Sequence, residues 1–220
     1  MFDTREGIDV NFYERLQDKE KLRKELLLVT LFITLYENFK SNWEEEILVF
    51  YANGSKFENG KFIYEFTKLN YNNPNAFEDC DFIKDKEAEN KYRTEVCRQI
   101  KKANGKDFDK EASLFNWLLN RKIIKIEHYA QLLEIRNLRN QLGHELDDIL
   151  NDEFPCDLSL KIKQLIDIRK YSSKEWFISI ELPISGEAQC DDNGNIIIPE
   201  AVFSSSEISY DLLYDALFDF

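Results

Sequence analysis

The sequence predicts a mainly α-helical protein with a small β-containing extension at its C-terminal end. Apolar residues recur with a period close to 3.6 in several long segments, which is typical of helices with one buried face. After Tyr171 the pattern changes to alternation and an Asn-Gly turn signal, which indicates strands and a hairpin. The 220 residues, 43% of them hydrophobic, suffice for a substantial core. We therefore predict a helical bundle over residues 1–172 and a β-containing tail over 173–220 that ends in a short helix.

The first predicted helix covers residues 11–53. Ser41-Asn42 indicates a break or cap between two helices within this segment. The most apolar run, Leu26 to Tyr36, has 11 residues, which is too short to span a bilayer, so we interpret it as a buried core helix. The polar N-terminus does not resemble a signal peptide. The predicted apolar face comprises Leu16, Leu22, Leu26, Val29, Ile33, Tyr36, Phe39, Trp43, Ile47 and Phe50.

The segment after this helix is less regular. Two Asn/Gly turn signals between Tyr51 and Phe62 end the helix, and residues 62–69 fit either a short helix or a strand. Residues 79–102 are charged and carry weak helical spacing, so we predict an exposed helix there.

Three further helices are predicted downstream. The first begins at a cap formed by Asp107 or Asp109 and runs to about Arg121. The second covers residues 125–142, with Ile126, Tyr129, Leu133 and Leu142 on its apolar stripe and Leu132, Ile135 and Leu138 widening it. The third covers residues 157–170.

The predicted tail begins with a strand over residues 175–182. A hairpin around Asn193-Gly194 follows, and the last residues form a capped amphipathic helix.

The charge balance restricts the classes of function. Acidic residues outnumber basic ones by 42 to 29, which gives a formal charge of −13 and disfavours non-specific coating of nucleic acid. A nucleic-acid contact must therefore come from a local basic patch, and residues 121–139 provide one. This segment holds five cations, Arg121, Lys122, Lys125, Arg136 and Arg139, against Glu127 and Glu134.

The cysteines and carboxylates argue against cofactor chemistry. The four cysteines are scattered without a CxxC pair, so we interpret them as reduced thiols of a cytoplasmic protein. Glu44, Glu45 and Glu46 point in different directions on a helix and are read as a solvated face. Without clustered His or Cys ligands, we predict no metal site and no cofactor.

A polar cluster, RNLRNQLGHE over residues 136–145, interrupts the Leu-rich helix at 125–142. Arg136, Asn140 and His144 are four residues apart and share a face, with Arg139 on its flank. Arginine can grip phosphate oxygens, asparagine can orient a phosphate or hydroxyl, and histidine can move a proton near neutral pH. These residue types together can cleave RNA without a metal, because His removes the 2′-hydroxyl proton while Arg stabilises charge on phosphorus.

The six residues from Arg139 to His144 resemble the Arg–x(4–6)–His motif of HEPN domains, with the favoured Asn140 directly after the arginine. The resemblance implies a four- or five-helix bundle and a metal-independent endoribonuclease of a toxin, abortive-infection or CRISPR-linked antiviral defence system. It implies a homodimer in which two motifs face each other across one cleft. Arg139 would then bind and polarise the scissile phosphate, Asn140 would position it, and His144 would transfer the proton.

Arg136 is not a motif position, and we assign it to substrate binding because it shares the face. In HEPN toxins that work with a nucleotidyltransferase, a Tyr stands two residues after the His. Leu146 occupies that position here, so a tyrosine-modification switch is not expected. The expected partners are RNA, a second copy of the chain, and a regulatory or antitoxin protein that holds the nuclease inactive. No membrane partner is expected.

Other interpretations stay open. The cluster can be a solvated helix face that forms salt bridges to Glu134, Glu145 or Asp147. The protein can also be a non-catalytic HEPN-like interaction module, or a nucleotide sensor that holds a phosphate without breaking a bond. His128 lies about three helical turns from the motif, so a surface or interface role is favoured.

Overall fold

A computed structural model describes residues 19–144, 158–185, 189–190 and 196–197. Within these residues the protein is mainly helical and carries small antiparallel strand pairs, which confirms the predicted class at that level. The chain divides into two compact units. One comprises residues 38–121, and the other comprises residues 1–37 together with 122–220. Among the described helices, none combines the length and the apolarity that crossing a bilayer requires.

Helix α1 runs without interruption over Lys19–Tyr51, so the predicted break at Ser41-Asn42 is wrong. Phe39 and Trp43, on either side of Ser41-Asn42, are both buried. The buried stripe of α1 therefore continues past the two polar residues. Leu26, expected on the apolar face, is exposed. Residues 11–18 of the predicted helix lie outside the described residues. The buried stripe consists of Val29, Phe32, Leu35, Tyr36, Phe39, Trp43, Ile47 and Tyr51.

Two strand pairs follow α1. Strand β1 (Gly54–Glu58) pairs antiparallel with β2 (Lys61–Glu65), and Asn59-Gly60 forms the turn with positive φ at both residues. A two-residue hairpin turn of this kind needs positive φ, which Asn and Gly tolerate best. Strand β3 (Thr67–Leu69) pairs antiparallel with β4 (Phe82–Lys84). Residues 62–65 and 67–69 are therefore strand, which settles the ambiguity that the sequence left open.

The exposed helix predicted over residues 79–102 is only partly correct, because residues 82–84 form β4 and the helical residues end at Cys97. Asp85 then caps helix α2 (Lys86–Tyr92) by accepting hydrogen bonds from the amides of Glu87 and Ala88. A π-helical segment (Arg93–Cys97) continues α2.

Helix α3 covers Lys110–Asn120, close to its predicted extent. Asp109 is its N-cap, since the carboxylate accepts a 3.0 Å hydrogen bond from the amide of Ala112, and the predicted cap is confirmed there. Leu114, Phe115 and Leu118 are buried.

Tyr51 lies at the centre of a polar network within the 38–121 unit. Its hydroxyl donates to Glu95 and accepts a 3.1 Å hydrogen bond from the indole Nε1 of Trp117. Arg121 Nη2 lies 3.5 Å from Glu95 Oε2, and its guanidinium stands 5.3 Å from the centre of the Trp117 ring. Burial and the hydrogen bond to Glu95 raise the pKa of Tyr51. The network ties α1 to α3 and to the segment after α2.

Helix α4 covers Ile126–His144 and helix α5 covers Leu158–Trp176. Both agree with the predicted helices at 125–142 and 157–170, although α5 extends further. Residue 172, where the sequence analysis divides the chain, lies inside α5, and Ser172 is buried.

The predicted strand over residues 175–182 is wrong. Helix α5 passes into a π-helical segment (Phe177–Glu181) and then a short helix α6 (Leu182–Ser185). The indole Nε1 of Trp176 donates a 2.9 Å hydrogen bond to Glu181 across this π-helical segment.

The strand pairing of the predicted hairpin is confirmed, and its turn at Asn193-Gly194 lies outside the described residues. Strand β5 (Gln189–Cys190) pairs antiparallel with β6 (Ile196–Ile197). The predicted C-terminal helix lies outside the described residues.

Candidate functional site

Helix α4 carries all four residues predicted for the site. Its buried stripe consists of Leu132, Ile135, Leu138 and Leu142. Ile126, predicted on this stripe, is exposed over 65% of its surface, so the predicted stripe was displaced at the start of the helix.

The predicted site residues lie beside and opposite the buried stripe. If Ile135 marks its centre, Arg139 lies about 40° away around the helix, Arg136 about 100°, Asn140 about 140° and His144 about 180°. Arg136, Arg139 and Asn140 are all partly buried. His144 is the last residue of α4, and its side chain lies outside the described part of the structure. Arg139 thus stands at the inner edge of the cluster, about 140° from the position of His144.

Arg139 contacts two other side chains. Its Nη2 forms an ion pair with Oε1 of Glu37 on α1, and its Nη1 donates a 3.1 Å hydrogen bond to Oδ1 of Asn140. The side chains of Arg139 and Glu37 are 33% and 34% exposed, so the pair is partly shielded from water. Because Oδ1 of Asn140 accepts from Arg139, the amide Nδ2, which can only donate, points away from the guanidinium.

Glu37 was not predicted from the sequence as a residue of the site. Its one signal is a carboxylate placed directly after the uncharged run from Leu26 to Tyr36. The salt bridge considered for Glu134 is formed instead with Lys161 on α5, at 2.9 Å. Glu145 and Asp147, the other two proposed partners, lie outside the described residues.

His128 lies far from the cluster, in contact with an aromatic side chain. The centres of its ring and the Tyr171 ring are 4.8 Å apart in an edge-to-face arrangement, and its Nδ1 is 3.5 Å from the backbone nitrogen of Lys125. The ammonium of Lys125 lies 4.7 Å from the centre of the same Tyr171 ring. Burial, followed by the charge of Lys125, lowers the pKa of His128. These contacts favour a role in packing α4 against α5.

Metal-binding geometry is not present in the part of the chain that the structure describes, where no three His, Cys, Asp or Glu side chains cluster. Glu44, Glu45 and Glu46 are exposed on α1. Glu45 accepts a 3.1 Å hydrogen bond from the hydroxyl of Tyr64.

The 38–121 unit contains a cavity of about 760 Å³ that the sequence analysis did not predict. Its walls include the aromatic side chains of Phe62, Tyr64 and Tyr92 and the basic side chains of Lys61 and Lys110. Burial and the thiol of Cys97 raise the pKa of Tyr92 well above its usual range. Strand β2 forms part of the wall, and the sequence left that strand unassigned.

Comparison with protein-family models, curated proteins and solved structures found no match for the chain. The fold and contacts define a mainly α-helical protein with an arginine–asparagine cluster on a partly buried helix face.

Proposed function

We propose that the chain is a metal-independent endoribonuclease of the HEPN type, from a microbial defence or toxin system. The observation that supports this function is the environment of Arg139. Its guanidinium contacts Glu37 and Asn140, while a third of the Arg139 side chain stays exposed. An arginine fixed in this way is preorganised for a phosphate, because little side-chain freedom is lost when the substrate arrives.

The proposed reaction breaks one bond of the RNA backbone. His144 takes the proton of a 2′-hydroxyl, and the 2′-oxygen attacks the adjacent phosphorus. The new bond closes a 2′,3′-cyclic phosphate, and the bond to the 5′-oxygen breaks, so that oxygen takes up a proton. Arg139 and Arg136 stabilise the charge on the phosphate oxygens, and Asn140 orients them.

A homodimer would suit the placement of these residues. Arg139 and His144 are about 140° apart around one helix, so a single helix does not present both to one face. In a dimer, a phosphate can contact Arg139 of one protomer and the partner's His144. Mixing Arg139→Ala with His144→Ala protein tests this arrangement, since a mixed dimer would recover cleavage that neither variant has alone.

The acidic body of the protein confines RNA to a narrow basic surface. We place the protein in the cytoplasm, where RNA is available. A regulatory or antitoxin protein that covers the cluster would hold the nuclease inactive.

The first test of this function uses purified wild-type protein and His144→Ala with a mixed RNA pool in EDTA. We expect cleavage with cyclic-phosphate ends from wild type and none from the variant. Gln141→Ala is the matched control, because Gln141 is an exposed neighbour on the same helix and has no assigned role. Equal cleavage by wild type and His144→Ala would refute the assignment of His144, and no cleavage by wild type would count against the nuclease.

The Glu37 contact also favours a second candidate, a non-catalytic HEPN-like interaction or nucleotide-sensing subunit. An arginine that is already paired with a carboxylate can stabilise the fold. It can also bind the phosphate of a ligand without any cleavage of that ligand. Nucleotide binding by calorimetry, lost in Arg139→Ala and unaccompanied by RNA turnover, would support this candidate.

A further inference from the structure

We propose that Glu37 is a positioning residue of this site, which holds Arg139 and, through Arg139, fixes the orientation of the Asn140 amide. This inference rests on the proposed function and adds to it a residue from another helix, outside the motif. Glu37 lies on α1, whereas Arg139 and Asn140 lie on α4.

The first step is the ion pair itself. The side chains of Glu37 and Arg139 are each about one-third exposed, at 34% and 33%. The carboxylate-bearing side chain of the pair between Glu134 and Lys161 is more exposed, at 65% for Glu134, although Lys161 is only 17% exposed. Shielding from water strengthens the attraction between opposite charges, so Glu37 restrains its arginine more than a surface carboxylate would.

The second step is the transfer of this restraint to Asn140. Arg139 uses Nη2 for Glu37 and Nη1 for Oδ1 of Asn140, so the two contacts fix the guanidinium at both ends of its planar fork. An asparagine amide can rotate to exchange its oxygen and its nitrogen. The hydrogen bond from Arg139 selects the orientation with Oδ1 inward and Nδ2 outward.

The third step is the chemical difference between these two orientations. Nδ2 carries two donor hydrogens and can bind a phosphate oxygen, whereas Oδ1 is an acceptor that a phosphate oxygen repels. If Arg139 loses its carboxylate, the guanidinium can turn toward water and the Asn140 amide can flip. Glu37 therefore governs whether Asn140 presents a donor to the substrate.

The test compares Glu37→Gln with Glu134→Gln, which removes a carboxylate from another ion pair on a different part of α4. For RNA cleavage we expect Glu37→Gln to lower kcat by about 10-fold to 100-fold, as misplacement of a positioned group does. Glu37→Asp, which keeps the charge, should recover part of that loss. Glu134→Gln should leave kcat unchanged. A purely structural role would shift the unfolding temperature and leave kcat per folded molecule intact.

A second readout does not depend on cleavage. The side-chain amide of Asn140 gives a pair of signals in ¹H–¹⁵N NMR spectra, assigned by their loss in Asn140→Asp. We expect Glu37→Gln to move these signals and Glu134→Gln to leave them in place. Unmoved signals in Glu37→Gln would overturn the inference, as would moved signals with an unchanged kcat. If wild-type protein cleaves no RNA, the proposed nuclease fails, and the NMR comparison alone decides the role of Glu37.

Discussion

Replacing Tyr51 with Phe removes one hydroxyl from the network in the 38–121 unit, and the structure predicts a large effect. The hydroxyl accepts from Trp117 and donates to the Glu95 carboxylate. A neutral hydrogen bond contributes about 0.5–1.5 kcal/mol, and one to a charged group contributes about 1.5–3 kcal/mol. Because Glu95 is partly exposed and also meets Arg121, we take the lower half of the sum, about 2–3 kcal/mol.

The assay is urea unfolding of wild type, Tyr51→Phe and Tyr71→Phe, followed by circular dichroism. Tyr71 is 83% exposed, so loss of its hydroxyl should change the free energy of unfolding by less than about 0.5 kcal/mol. A Tyr51→Phe variant within about 0.5 kcal/mol of wild type would refute the reasoning. A double-mutant cycle with Glu95→Gln should show coupling of about 1 kcal/mol or more, because the two side chains are in contact.

Three further predictions concern single positions, each followed by urea unfolding. Ile135→Ala removes a fully buried side chain of α4 and should cost about 2–5 kcal/mol; a cost below 1 kcal/mol would contradict the assigned stripe. In Gly60→Ala the added methyl group meets no atom within 4 Å, but alanine must adopt the positive φ of Gly60, so the free energy of unfolding should fall by about 1–2 kcal/mol. An unchanged urea midpoint would show that residue 60 does not have a positive φ in this turn. The lowered pKa of His128 favours its neutral form in the fold. The contribution of neutral His128 to the free energy of unfolding is therefore complete above about pH 6.5, the pKa of an unperturbed histidine. It is lost as the pH falls through the lower pKa that His128 has in the folded protein. His128→Gln should flatten the stability profile between pH 7 and 5, and an equally steep profile would exclude His128 as its source.

Local patterns in the sequence predicted the helices well but placed some boundaries and faces wrongly. Asp109 was recognisable as a cap because its carboxylate needs only the amide three residues later. Ser41-Asn42 suggested a break, yet extending an existing helix requires no new nucleus, and the buried residues Phe39 and Trp43 favour its continuation. Residues 175–182 alternate like a strand, yet the helical structure continues from α5 through them, since extending an existing helix requires no new nucleus.

The candidate site was only partly predictable from the sequence. The cluster on α4 could be found because Arg136, Arg139 and Asn140 are close together in the chain. Glu37 could not, because its contact with Arg139 depends on how α1 packs beside α4 within one compact unit, and no local spacing encodes that arrangement.

The π-helical segment after α5 has a consequence for how the chain tolerates changes in length. Residues five apart lie about 140° apart around an α-helix, whereas the wider ring of a π-helix joins residue i to residue i+5. The hydrogen bond between Trp176 and Glu181 spans this interval and so depends on the wider turn. Such a turn accommodates one more residue than an α-helical turn without interrupting the helix. A single-residue deletion between Phe177 and Glu181 would therefore restore α-helical turns without interrupting the helix, with loss of the hydrogen bond between Trp176 and Glu181.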